Sequence, residues 1–152
     1  MLDYLLSVAL KAQPPVLFVA NTENTTPIAL SCLGSISKND GKPIAYSPSF
    51  YLDYQQKYAF IYDEKDYKIS GKSFQLNITP SQLFLELKTS TTLSSASRRI
   101  TINRSTLEVE DTTLVESTSL YFGTTNVITF KGFYVCSVIP VPKIFSGLQK
   151  KI

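Results

Sequence analysis

Apolar and polar residues alternate along most of this chain, and a period of two is the pattern of a β-strand with one buried face. The clearest example is KSFQLNIT, residues 72–79, whose apolar residues at 74, 76 and 78 alternate with polar ones. After a turn at Pro80–Ser81, residues 83–88 repeat the alternation. These two segments therefore predict a β-hairpin that buries one side.

Similar short segments recur at intervals of about eight to twelve residues, separated by turn-forming residues. They predict an all-β fold, an antiparallel β-sandwich or barrel of about nine to eleven short strands. The Ser/Thr-rich stretch 89–97 is predicted to be a polar loop. The chain of 152 residues has no internal repeat and no break in composition. We therefore expect a single β domain spanning 1–152.

The two ends of the chain depart from the strand pattern. Residues 1–13 place leucines at helical spacing and stop before Pro14, which predicts one short helix within an N-terminal arm, 1–15. Residues 140–152 form a C-terminal basic tail that carries the apolar residues Phe145 and Leu148. We expect both ends to dock on the body of the protein or on a neighbouring subunit.

The stretch 50–67, FYLDYQQKYAFIYDEKDY, is the most aromatic part of the chain, with seven Tyr or Phe among its eighteen residues. Its period of two predicts a hairpin in which residues 50, 52 and 54 share a face with residues 58, 60 and 62. Coverage of both faces would make the hairpin a subunit interface, with candidate contacts at Tyr51, Tyr54, Tyr58 and Tyr62. The alternative is a stacking surface for a sugar or an apolar ligand.

Arg98, Arg99 and Arg104 are the only arginines of the chain, and they lie within seven residues of one another. One interpretation is a solvated strand edge that resists unwanted pairing. The other is a contact between subunits, in which these arginines meet an acidic patch at Glu108, Glu110 and Asp111 of a neighbour. The candidate interface residues are therefore these three arginines, the four tyrosines named above, Phe145 and Leu148.

Composition argues against most enzymatic chemistry. The chain contains no His, which removes the commonest general base and the commonest zinc ligand. The SGKS sequence at 70–73 lacks the first glycine of a phosphate-binding loop and precedes a strand. The acids at 63, 64 and 66 have Lys57, Lys65 and Lys68 nearby in sequence for ion pairing, as in a solvated turn. We therefore predict no catalytic residues, no metal site and no cofactor.

Charge and cysteine content narrow the choice of partners. The net charge is +3, and residues 143–152 supply three lysines without an acid, so the body is neutral. A neutral surface does not suit specific nucleic-acid binding, and no segment is long enough to span a membrane as a helix. Cys32 and Cys136 both lie in apolar runs. They are either two buried thiols or a disulfide between an early and a late strand.

The segment Ile102–Leu107, INRSTL, followed by a glycine at 132 and a cysteine at 136, resembles the C-terminal part of short β-rich proteins of tailed bacteriophages. The resemblance implies a phage source and no activity. We expect a non-enzymatic structural subunit of a symmetric assembly, a virion component such as a capsid decoration, tail or neck protein. Its partners are then copies of itself or other structural proteins, and its location is the virion, or alternatively the cytoplasm. A ligand-binding β module is the alternative function.

Overall fold

The structure is a computed structural model of the chain, and it describes residues 27–145. This part is all-β, with one short 3₁₀ helix at Lys143–Phe145. The nine strands are β1 (Ile28–Lys38), β2 (Ile44–Tyr46), β3 (Ser49–Asp53), β4 (Tyr58–Tyr62), β5 (Ile69–Ile78), β6 (Gln82–Ser90), β7 (Ser94–Asn103), β8 (Glu108–Thr118) and β9 (Thr125–Ile139).

Eight strand positions close into an antiparallel barrel. From β3 onward each strand pairs with the next one along the chain, and β9 returns to pair with β1. The short strands β2 and β3 share one position, because both pair with the same edge of β1, at residues 34–36 and 28–31 respectively. The all-β prediction is thus confirmed, and the choice between sandwich and barrel resolves to a barrel.

The strand register fixes the width of the barrel. Following paired residues once around the wall from Ile28 leads back to β1 at Lys38, ten residues further along the same strand. Strand number and this stagger together set the diameter, and eight strands give an interior just wide enough for side chains to fill. Alternate residues of every strand therefore form one core inside the barrel.

Large apolar side chains fill that core. Phe50 and Leu52 of β3 meet Ile61 of β4, and the leucines and isoleucines of β5 to β7 complete the layers. The buried apolar core residues on these later strands are Phe74, Leu76, Leu83, Leu85, Ile100 and Ile102. Burial of this apolar surface is the main stabilising term of the fold.

A disulfide between Cys32 and Cys136 joins the first strand to the last inside the barrel. The two residues are directly opposite in the β1–β9 ladder, but their amides do not bond to each other. The Cys32 amide donates to Pro48 O and the Cys136 amide donates to Leu107 O. This is a non-hydrogen-bonded position, where opposing Cα atoms come closest. The Cα–Cα distance is 4.0 Å, which places the two sulfur atoms within bonding reach. The sequence left open either two buried thiols or a disulfide, and the structure contains the disulfide.

Two local predictions concern the Ser/Thr-rich stretch 89–97 and the helix within 1–15. The predicted loop 89–97 is wrong, because β6 continues to Ser90 and β7 begins at Ser94, which leaves a three-residue connection. Ser90, Ser94 and Ser95 occupy strand positions with exposed side chains, so polarity there marks a solvated face rather than a loop. The predicted helix within 1–15 lies outside the described residues.

Candidate interaction surfaces

The outer face of β3 and β4 carries a cluster of aromatic rings that the chain itself covers. Tyr51 stacks on Phe60 with ring centroids 4.7 Å apart. Phe145 of the 3₁₀ helix lies edge-on over Tyr51, Phe60 and Tyr62, at centroid distances of 5.5, 5.1 and 5.0 Å. Tyr51 is 0% exposed although it points away from the barrel core. We call this surface the covered wall.

The pairing of β3 with β4 corrects the predicted faces of this hairpin. Tyr51 is opposite Phe60, so these two residues share the outer face, whereas Tyr54 points into the core. The prediction grouped residues 50, 52 and 54 with 58, 60 and 62, and this was wrong. The turn after Asp53 sets the register, and Asp53 is opposite Tyr58, which puts the odd residues of β3 with the even residues of β4.

Burial changes the acidity of the phenols in the covered wall. Burial, with smaller effects from neighbouring groups, raises the pKa of Tyr51 and that of Tyr62 from about 10 to about 12. Neither hydroxyl has a hydrogen-bond partner among the described residues. The outer face of this hairpin therefore behaves like a second, smaller core in which polar groups are poorly accommodated.

Carboxylates hold the two turns that flank the hairpin. Asp53 is buried and accepts a hydrogen bond at Oδ1 from the Gln56 amide at 2.9 Å, which closes the β3–β4 turn. Glu64 reaches across the outer face and accepts from the hydroxyls of Ser31 and Ser49. Residues 63–66 form an exposed turn, as the sequence predicted, and Glu64 makes these additional contacts from it.

Arg98 faces the interior and pairs within the chain. Its Nε and a terminal nitrogen donate to the two carboxylate oxygens of Asp111 at 3.0 and 2.6 Å, and Tyr134 donates to the same carboxylate at 2.8 Å. Burial acts to lower the pKa of Arg98, but the hydrogen bonds and charge of Asp111 raise it overall. Asp111 was proposed from the sequence as an arginine partner across a subunit boundary, and here the pair forms inside one barrel.

Two glycines make room for Tyr134. A Cβ at Gly132 would lie 2.2 Å from the Tyr134 hydroxyl oxygen, and a Cβ at Gly34 would lie 2.7 Å from its ring. Gly34 is opposite Tyr134 in the β1–β9 ladder. The ring therefore takes the space that two side chains would fill, and this directs its hydroxyl to Asp111. No sequence motif indicated this network.

The other two arginines lie in different surroundings. Arg99 is on the outer side, where it pairs with Glu86 at 2.6 Å and lies over the ring of Phe84. Arg104 is only 2% exposed, donates to Thr79 O and lies 5.9 Å from the Tyr54 ring centroid at the end of the barrel. The three arginines therefore do not form one patch. Strand β7 is also not an edge, because it pairs on both sides.

On β9 and β1, the outer face carries exposed apolar side chains that no residue within 27–145 covers. Leu33, Phe133 and Val135 are 72%, 62% and 61% exposed, and Leu33 is directly opposite Val135. We call these three residues the bare wall. Exposed apolar residues that cluster in this way mark interaction sites more often than singly scattered ones do. The alternation of β9 does not distinguish its outer face from a buried one, so the sequence did not reveal this site.

A groove of about 490 Å³ adjoins the bare wall. The residues Leu33, Phe133 and Val135 form one side of it, and Glu108 and Glu110 of β8 lie on the other. It extends over β7 to Gln82 on β6. None of its described lining residues is basic.

The β8–β9 hairpin ends in a second exposed apolar feature. Leu120, Tyr121 and Phe122 project from its turn, and Tyr121 is 93% exposed. Gly123 has a φ of +62°, which suits glycine, and its amide donates to Ser119 O at 3.0 Å. This turn is therefore ordered by its own hydrogen bonds and holds the three side chains in solvent.

Of the predicted interface residues, Leu148 lies outside the described residues, and Phe145 is buried in the covered wall. Tyr58 is partly buried at the margin of that wall, beside Tyr51. Among residues 27–145, no cluster of His, Cys, Asp or Glu is arranged to hold a metal ion. The same range contains no helix with the length and apolar character needed to cross a membrane.

Comparison with known proteins found no matching family model, no matching curated sequence and no matching solved structure.

Proposed function

We propose that this protein is a non-enzymatic structural subunit of a symmetric assembly, which binds its neighbours through the outer surface of its barrel. The virion of a tailed bacteriophage is the assembly that the sequence resemblance suggests. The neighbours are further copies of the chain or other structural proteins of the same particle.

The bare wall is the observation that carries this proposal. Three bulky apolar side chains, Leu33, Phe133 and Val135, lie together on the outside of β1 and β9, and each is more than half exposed. Covering them with a partner would remove this apolar surface from water, which is the main driving force of association. A neutral, lightly charged body adds little electrostatic repulsion between copies.

The alternative function, ligand binding by the Tyr-rich segment 50–67, has less support. A stacking platform must present ring faces to solvent. Here Phe145 covers the outer rings, and Tyr54 packs inside the barrel. A ligand would have to displace the 3₁₀ helix to reach Tyr51.

The Cys32–Cys136 disulfide bears on location. Disulfides persist mainly in oxidising surroundings, such as the surface of a virion or the extracellular space. The bond therefore favours a location outside a reducing cytoplasm, which agrees with the virion proposal.

The proposal is tested by measuring the mass of the native protein at several concentrations by light scattering. We expect an oligomer whose mass falls when Phe133 and Val135 are both replaced by serine. The matched control is Ile44→Ser, because Ile44 is 68% exposed but lies on β2, outside the bare wall. A wild-type protein that stays monomeric at all concentrations, and does not join particles from its source, would contradict the proposal.

A further inference from the structure

The groove beside the bare wall combines two kinds of surface. Leu33, Phe133 and Val135 supply an apolar side, and Glu108 and Glu110 supply two carboxylates. In the ladder, Glu110 is directly opposite Phe133 and Glu108 is opposite Val135. Phe133 and Val135 therefore each have an acidic residue directly opposite on the neighbouring strand.

Charge decides what fits this groove. Glu108 and Glu110 are acidic and exposed. The described lining residues of the groove include no Lys or Arg that could pair with them. An acidic or purely apolar partner would leave two charges without a counterion, whereas a basic side chain would pair with them.

The dimensions indicate an extended segment. The groove crosses five neighbouring strands, from Gln82 on β6 to Leu33 on β1. Four inter-strand spacings amount to roughly 19 Å, the length of about six residues of extended chain. The side-chain amide of Gln82 lines the far end, where it offers a hydrogen-bond donor and an acceptor to a peptide backbone.

We propose that this groove binds an extended segment of a neighbouring protein in which bulky apolar side chains are followed by Lys or Arg. The apolar side chains cover Phe133 and Val135, and the basic group pairs with Glu108 and Glu110. This inference rests on the proposed function, since it names the part of the neighbour that the bare wall receives.

The test is selection of a random decapeptide library against the folded protein, followed by affinity measurements on the enriched peptides. We expect peptides that contain an apolar residue and a Lys or Arg within six positions. Replacement of both acids, Glu108→Gln with Glu110→Gln, keeps the shape of the groove and should weaken binding about tenfold at low salt. Glu116→Gln is the matched control, because Glu116 is an exposed acid of β8 outside the groove, and this variant should bind as the wild type does.

The inference is overturned if no peptide is enriched, if the enriched peptides lack basic residues, or if the control variant weakens binding as much as the double variant. Circular dichroism and thermal melting establish that each variant is folded. An oligomer whose mass falls in the bare-wall variant, together with failed peptide binding, would show that the wall joins copies face to face. The proposed function would then stand and the peptide groove would not.

Discussion

The barrel has two outer walls that look alike in sequence and differ in the structure. On β3 and β4 the outward residues Tyr51, Phe60 and Tyr62 are almost fully buried, whereas on β9 the outward residues Phe133 and Val135 are more than half exposed. Each wall belongs to strands whose inner faces fill the same core. The difference is a covering element, because Phe145 packs on the first wall and no described residue packs on the second.

An apolar outer face does not by itself reveal whether, or by which element, it is covered. For β3 and β4 the cover comes from the same chain, nearly a hundred residues away in sequence, at Phe145. For β9 and β1 we propose that it comes from a neighbouring protein. Substitutions in the two walls should therefore change the free energy of unfolding by different amounts.

The largest change in stability is expected where β1 pairs with β9, on the inner side of the bare wall. Replacing Cys32 and Cys136 together by alanine removes a cross-link that spans 104 residues, and should cost about 4–5 kcal/mol of unfolding free energy because the unfolded chain gains freedom. Urea denaturation measures this change. Hydrogen exchange should accelerate most in β1 and β9. Equal acceleration in β3 and β4 would mean that the two walls are not independent.

The second effect concerns the cover of the aromatic wall. Phe145→Ala should destabilise the protein by about 3 kcal/mol, because the ring packs on three others and its removal leaves Tyr51, Phe60 and Tyr62 partly exposed. Chemical denaturation gives the magnitude. A change below about 0.5 kcal/mol would show that the wall does not depend on this cover.

The third effect is a loss of stability at high pH that originates in the covered wall. The pKa of Tyr51 and of Tyr62 is about 12 in the folded state and about 10 when unfolded. A group with a raised folded pKa contributes stability below its unfolded pKa and loses that contribution as pH rises to the folded one. The thermal midpoint should therefore fall between about pH 10 and pH 12. In Phe145→Ala the tyrosinate absorbance should develop at lower pH, and an unchanged titration would contradict the assignment.

The smallest effect is expected on the bare wall. Phe133→Ala removes a ring of the same size as Phe145, but it should change the free energy of unfolding by less than about 0.5 kcal/mol, because the ring is exposed in the isolated chain. Denaturation of a dilute sample provides the measurement. A loss as large as that of Phe145→Ala would mean that the wall is covered within the chain.

Sequence reasoning identified the fold class because alternation is a local property. The apolar residues of β5, β6 and β7 do form one buried face, as their spacing predicted. The faces of the aromatic hairpin were assigned wrongly, because the register depends on the turn that Asp53 closes and not on the alternation itself. Closure of the barrel depends on the pairing of β1 with β9, which no local pattern encodes.

The candidate sites were harder to predict for the same reason. The arginines were predicted as interface candidates, but the contacts seen here are set by tertiary packing: Arg98 pairs with Asp111 across the β7–β8 pair, and Arg104 lies buried at the end of the barrel. The bare wall was missed because Phe133 and Val135 alternate with buried residues in the same way as covered ones do. The exposure of these two side chains depends on which segments pack beside each strand, and only the tertiary structure provides that information.

The disulfide has a consequence for the order of events during synthesis. Cys32 leaves the ribosome 104 residues before its partner, which at typical elongation rates is a delay of roughly 5 to 20 seconds. The chain contains only these two cysteines, so no wrong intramolecular bond exists during that delay. The competing reaction joins two chains, and its rate depends on the concentration of chains that have not yet folded under oxidising conditions. Oxidative refolding at high protein concentration should therefore produce cross-linked dimers, whereas dilute refolding yields closed barrels.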